Sequence, residues 1–218
     1  MADFEGMGQA ILDGDADRVA ELVEAALKEG VSPTEVLNEG LMKGMNVVGD
    51  LFKRDELFVP EVIFSAKAMK RGTEILQPLM VGEQRQATRI AVLGTVKGDI
   101  HDIGKNLVKT MMEGAGFEVI DLGIDIPAET FVQKASEVKP QIVAMSALLT
   151  TTMAYMKVVI DALQEAGIRD QVKIMVGGAP ITRAFAAEIG ADGTAPDAVT
   201  AADLARNLVG LGPSSFNG

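Results

Sequence analysis

Asp99, His101 and Gly104 are suited to holding a metal, and all three fall in the segment Gly98-Asp99-Ile100-His101-Asp102-Ile103-Gly104-Lys105-Asn106. A metal-ligating imidazole usually donates its second ring N–H to a carboxylate, which fixes the tautomer and raises the basicity of the ligating nitrogen. Two residues apart in extended chain, Asp99 and His101 point to the same side, so the carboxylate can reach the ring. Gly104 removes a side chain where something bulky must pass close to backbone. The chain has one histidine and no cysteine. That excludes disulfides, cysteine nucleophiles and any metal site built from several His or Cys ligands. A cofactor that brings its own metal and its own equatorial ligands is not excluded, because it asks the protein for a single axial group. Taken alone, a loop histidine reads as a hydrogen-bonding or capping residue. A phosphate-binding P-loop does not fit, since five residues separate Gly98 from Gly104 and Asn106 stands where Ser or Thr must follow the Lys.

The elements that position this segment repeat in a regular order from Arg89 onward. Short apolar runs at 90–96, 117–123, 141–147 and 173–179 alternate with helical patterns at about 104–114, 128–138, 152–166, 181–188 and 198–210. Such alternation predicts a parallel sheet with crossover helices on both faces. A short fifth strand near Asp192 to Ala195 would complete a flavodoxin-like, Rossmann-like order of 2-1-3-4-5. Ligands bind outside the carboxyl ends of such strands, near the reversal of strand order. Three loops therefore converge: the Asp99–His101 loop, Ser146 to Thr152, and Gly177-Gly178-Ala179-Pro180. Singly, the second loop reads as a helix cap and the third as a turn.

The first 80 residues carry helical stripes instead, through Val19, Leu22, Val23, Ala26 and Leu27, then Val36 to Val48, then Val62 to Leu76. Ser32-Pro33 with Glu35 is a helix start, and Gly14, Gly30 and Asp55 are breaks. With a short helix at Phe4 to Leu12 these give a four-helix bundle and the start of a polar linker (81–88) over residues 1–86. The α/β domain takes 87–218 and ends in a frayed tail.

Among 218 residues, 20 Lys and Arg face 31 Asp and Glu, for a net charge of −11. Binding nucleic acid needs a concentrated basic face, so that partner is not expected. No apolar run approaches a membrane span and the N-terminus is acidic, so the expected location is the cytoplasm.

The pattern D-x-H-x-x-G, a following S-x-L segment and a later Gly-Gly resemble the cobalamin-binding domain shared by methionine synthase and the corrinoid proteins of methylotrophic and O-demethylating methyltransferase systems. Residues 44–70 resemble the helical cap that precedes that domain, and 190–202 resemble the corrinoid proteins' last strand and helix, so the likeness spans nearly the whole chain. The resemblance implies a corrinoid held base-off, with His101 replacing the cofactor's own dimethylbenzimidazole as lower axial ligand of cobalt. Asp99 would bond His101, and Thr152 would complete the relay where methionine synthase has serine. Gly98, Ile100, Asp102 and Gly104 would frame the ligand. The displaced nucleotide tail would pass Ser146, Leu148, Thr150, Gly177 and Gly178, with Ala195 near its end. Phe52, Val59, Val62 and Ile63 match cap positions over the cobalt's reactive face, although Val62 and Ile63 read equally well as bundle core.

The function implied is methyl carriage on cobalt between two methyltransferases, with the protein not catalytic alone. The expected partners are a substrate-specific methyltransferase, a corrinoid:tetrahydrofolate or corrinoid:thiol methyltransferase, and a reductive activase. Rival readings are a cobalamin-dependent regulator or photoreceptor, and the small cobalamin-binding subunit of a carbon-skeleton mutase.

Overall fold

The computed structural model describes residues 2–80 and 89–211. The linker expected at 81–88 and the frayed tail lie outside these. Its contacts group into two compact units, one helical and one built on a sheet.

In the helical unit, α1 (Phe4–Leu12) and α2 (Ala16–Lys28) are capped by the carboxylates of Asp3 and Asp15, which accept from Gly6 and Arg18 N–H. Ser32 caps the next helix, which runs as α3 (Pro33–Glu35), a π-helical stretch (Val36–Met42) and α4 (Lys43–Lys53). Then α5 spans Val59–Leu76, its start held by the Glu61 carboxylate accepting from Phe58 N–H. The expected breaks are real: Gly14, Gly30 and Asp55 all have positive φ. The apolar stripes close on one another, with Met7, Ile11, Val19, Val23, Leu41, Val48, Met69 and Leu76 buried. Where α1 crosses α4, a Cβ on Gly44 would lie 2.8 Å from the Gly8 Cα, so the two backbones can meet only without side chains there.

In the sheet unit the chain alternates β1 (Arg89–Val96), α6 (Ile103–Gly114), β2 (Phe117–Ile126), α7 (Ala128–Val138), β3 (Ile142–Ser146), α8 (Thr150–Met153), α9 (Tyr155–Glu165), β4 (Lys173–Gly177), α10 (Arg183–Glu188) and α11 (Ala198–Leu208). The sheet is parallel, in the order β2-β1-β3-β4. Central β1 is buried over six consecutive residues rather than on alternate ones, as a strand covered on both faces must be. Its core gathers around Val92, Val143, Ile174, Phe131, Met156 and Leu163.

Two expectations are corrected. The fifth strand does not form: the segment after α10 makes one parallel bridge, Gly193 to Met175, so the sheet has four strands. Its composition explains this, because Gly190-Ala-Asp-Gly-Thr-Ala-Pro196 lacks β-branched and aromatic residues apart from one Thr. The Asp192 carboxylate instead accepts from Ile174 N–H at 2.7 Å. The helix expected over 152–166 is two pieces, broken at Ala154.

Candidate functional site

β1 leads into the turn Lys97-Gly98, and the chain then passes Asp99 and His101 before α6 starts at Ile103. The Asp99 side chain is fully buried. Its Oδ1 accepts from His101 Nδ1 at 2.7 Å and from His101 backbone N–H at 3.0 Å. Its Oδ2 accepts from Thr152 Oγ1 at 2.6 Å and from the N–H groups of Leu148 and Leu149 at 2.8 and 3.3 Å. Burial would raise the pKa of this carboxyl, but the Thr152 hydroxyl, the His101 backbone and ring and the Leu148 N–H outweigh it and hold the group well below the usual carboxylate range.

These bonds fix where the protons lie. An ionised Asp99 accepts only, so His101 Nδ1 carries a hydrogen, and a ring in the metal-ligating form then has its free lone pair on Nε2. The Thr152 hydroxyl also lies 3.0 Å from Leu149 C=O. It has one hydrogen, and the shorter bond to a charged acceptor takes it. The resulting relay runs from the Thr152 hydroxyl to the Asp99 carboxylate to the His101 ring, whose side chain is 45% exposed. That arrangement can hold one metal ion through Nε2. Among the described residues no group of three or more His, Asp and Glu could hold a metal unaided.

The other sequence candidates occupy several distinct places. Gly98, Leu148 and Thr152 join Asp99 and His101 around the carboxylate; a Cβ on Gly98 would sit 3.5 Å from Thr152 Cγ2. Ser146 ends β3, pairs with Gly177 at the end of β4, and is followed by Ala147, whose N–H donates to Gly177 C=O. Gly178 has φ +130°, and a Cβ there would be 1.8 Å from Ala147 C=O, so only glycine fits. At Gly104 and Gly177, by contrast, a Cβ would meet nothing within 4 Å. Both glycines keep space open. Ile100, exposed Thr150 and Asp102 line the rims of their loops, Asp102 accepting from Asn106 Nδ2. Ala195 lies beyond the Gly193 bridge and outside the Asp99 network. Within the helical unit, Val62 is 2% exposed and spent on the bundle core, Phe52 and Ile63 are half-buried, and Val59 is exposed.

Large apolar side chains stand unburied in the two loops that meet at Asp99: Ile100, Ile103, Leu148 and Leu149. Loop positions that expose this much apolar surface around a polar relay fit a broad, partly apolar ligand better than a bare ion. The residues present therefore fit a metal-bearing macrocycle on three counts: one ligating nitrogen, glycine-lined room, and apolar rims.

Sequence reasoning missed three contributors. Thr95, fully buried on β1, donates to His101 C=O at 2.9 Å. Asp125 bonds the Gly98–Asp99 backbone. Lys105, 2% exposed, donates to both oxygens of Asp121 at 2.7 and 2.8 Å and ties the start of α6 to β2. Burial would raise the Asp121 pKa, but its bonds to Lys105 and Gly123 N–H and the charges of Lys105 and Lys109 lower it overall. Polar types in a mainly apolar strand were the available signal for Thr95 and Asp121.

The family described as B12 binding domain matches residues 89–203, and a second family of the same description matches 4–77. A corrinoid protein of Desulfitobacterium hafniense is 47% identical over 213 residues, covering 96% of this chain and 99% of that protein. A trimethylamine corrinoid protein of Methanosarcina acetivorans is 49% identical over 185 residues, 84% of this chain and 86% of that protein. The methanol:cobalamin methyltransferase complex of Methanosarcina barkeri contains a chain that superposes with a TM-score of 0.82 at 32% identity, covering 98% of this chain and 82% of that one.

Proposed function

This chain belongs to the family of cobalamin-binding corrinoid proteins that carry methyl groups for methyltransferases, and from that premise we propose that it ligates cobalt through His101 and draws its methyl group from a methylated amine. The bound corrinoid supplies the cobalt centre on which the methyl group travels. The chain's own residues do the rest. Asp99 holds the proton on His101 Nδ1, which keeps the Nε2 lone pair aimed outward and makes it a stronger donor. Thr152 donates to Asp99 and so keeps that carboxylate ionised and oriented. Gly177 and Gly104 leave the room a nucleotide tail and a macrocycle need, and Ile100, Ile103, Leu148 and Leu149 offer exposed apolar surface for the ligand to cover.

The single observation that carries the reading is the fully buried Asp99 carboxylate bonded to the one imidazole of the chain. The amine donor is supported by the trimethylamine relative, which is more similar in sequence than the methanol-system chain. A reductive activase and a second methyltransferase acting on tetrahydrofolate or a thiol complete the proposed set of partners. The regulator and mutase-subunit readings receive no support from these relatives.

The donor is tested by loading the full chain with hydroxocobalamin, reducing it, and offering it to purified trimethylamine and methanol methyltransferases with their substrates. Methylation, followed by visible absorption, is expected with the amine enzyme. Methylation with the methanol enzyme alone would contradict the amine donor.

A further inference from the structure

Asp99 orients the imidazole, and something must in turn hold Asp99. Its backbone is gripped from a neighbouring strand. The Asp125 carboxylate accepts from Gly98 N–H at 2.7 Å, and the Asp125 backbone N–H donates to Asp99 C=O at 3.0 Å. One residue thus takes hold of both ends of the Gly98–Asp99 dipeptide.

Sheet register explains how Asp125 reaches that position. β1 and β2 run in step from Arg89 opposite Phe117 to Leu93 opposite Asp121, but then Gly94 faces Gly123 and Val96 faces Ile126. β2 has gained one residue at each of these two steps. Each such bulge bends its strand and re-aims the residues beyond it. The first bulge is stapled: Gly123, at φ +95°, donates its N–H to Asp121 Oδ1 at 2.9 Å, and Asp121 is itself clamped by buried Lys105. The second delivers Asp125 to the ligand loop.

Asp125 has φ +56°, in the left-handed region that side chains rarely adopt. Glycine would adopt it without strain but has no carboxylate. Asp125 is also exposed, so core packing does not account for an aspartate there. A strained conformation held in place by two hydrogen bonds beside a ligand loop points to a role in that loop. The far end of the loop has its own grip, from the Thr95 hydroxyl to His101 C=O.

We propose that Asp125 is a positioning residue for the axial-ligand loop, fixing Gly98 and Asp99 together and through them the height and tilt at which His101 meets cobalt. The proposal rests on the reading of His101 as axial ligand.

Three variants separate strain from function. Asp125→Gly relieves the backbone and removes the acceptor, Asp125→Asn keeps an oxygen acceptor and tolerates positive φ, and Asp125→Ala removes the acceptor while keeping the strain. Each full chain is labelled with 15N-histidine and loaded with cob(II)alamin for EPR, and each apoprotein is followed by amide exchange at Gly98. Asp125→Gly is expected to melt no lower than the wild type, yet its Gly98 amide should exchange faster by on the order of tenfold. Its imidazole-coupled fraction should fall several-fold and its Co(II)/Co(I) midpoint should shift. Asp125→Asn should restore all three. Unchanged exchange and an unchanged imidazole-coupled fraction in Asp125→Gly would overturn the proposal. If the wild type itself shows no imidazole coupling, the axial reading falls. The grip on the loop is then decided by apoprotein exchange alone, acceleration supporting it and its absence overturning it.

Discussion

The two sides of the site are built by opposite means. The Asp99–His101 loop is fixed by side chains: five donors converge on one buried carboxylate, and Thr95 and Asp125 hold the backbone around it. At the ends of β3 and β4 the work is done by missing side chains, with Gly178 closing against Ala147 and Gly177 facing open space. An axial ligand must be placed to a few tenths of an ångström, and directional bonds do that. The proposed nucleotide tail would need room and a smooth wall, and a glycine such as Gly177, with nothing within 4 Å of its missing Cβ, leaves that room.

The contrast predicts its largest effect at Gly178. Gly178→Ala would set a methyl group 1.8 Å from the Ala147 oxygen on a backbone with φ +130°, so folding should lose more than ~3 kcal/mol. A denaturant titration of the apoprotein measures it, and a loss under ~1 kcal/mol would mean the two loops are not in contact.

Next is the directional side. Thr152→Val keeps the shape of the side chain but removes the hydroxyl from a buried, ionised Asp99, which should cost about 2 kcal/mol of apoprotein stability. Thr152→Ser, which restores the hydroxyl, should recover most of it. A Thr152→Val variant as stable as the wild type beside a destabilised Thr152→Ser would mean that the methyl contact, not the bond, is what matters.

Gly177→Ala sharpens the comparison from the other direction. With nothing within 4 Å of the new methyl group, apoprotein stability should change by less than ~1 kcal/mol. Corrinoid affinity, measured by dialysis against hydroxocobalamin, should still fall. A variant that binds the cofactor as the wild type does would show that this space is not used.

The smallest effect is one of pH. The Asp121 carboxyl has a lowered pKa in the folded protein, so the stability it contributes is fully present above the ordinary carboxylate value of about 3.9 and is lost as pH falls through the folded value. Urea midpoints taken between neutral pH and about pH 3 should drop further for the wild type than for Asp121→Asn, since Asp99, also lowered, titrates in both. Equal drops in the two proteins would contradict the role given to Lys105–Asp121.

Much of this architecture could be read in the sequence, because periodic apolar runs and cap residues act locally: Phe4–Leu12 and Ala128–Val138 form where the pattern places them. The spacing of Asp99 and His101 likewise gave their contact, since two residues of extended chain bring the groups together whatever the rest does. The fifth strand fails where the order 2-1-3-4-5 would place it because the residues between Gly190 and Pro196 have little tendency to pair. Asp125 and Thr95 were invisible for a different reason. Their partners are backbone groups of the ligand loop, and for Asp125 the approach depends on two register shifts that no spacing along the chain reveals.

The central claim, that His101 supplies the lower ligand of cobalt, has a direct test because the chain holds a single histidine. Cob(II)alamin bound through either its own base or a protein imidazole gives a nitrogen-split EPR signal, so the full-length protein is prepared with 15N-histidine and unlabelled cofactor. Ligation by His101 predicts that each triplet becomes a doublet, as coupling to a 15N nucleus requires. Triplets that persist in the labelled protein would mean that the cofactor's own base remains on cobalt and that His101 is not the ligand.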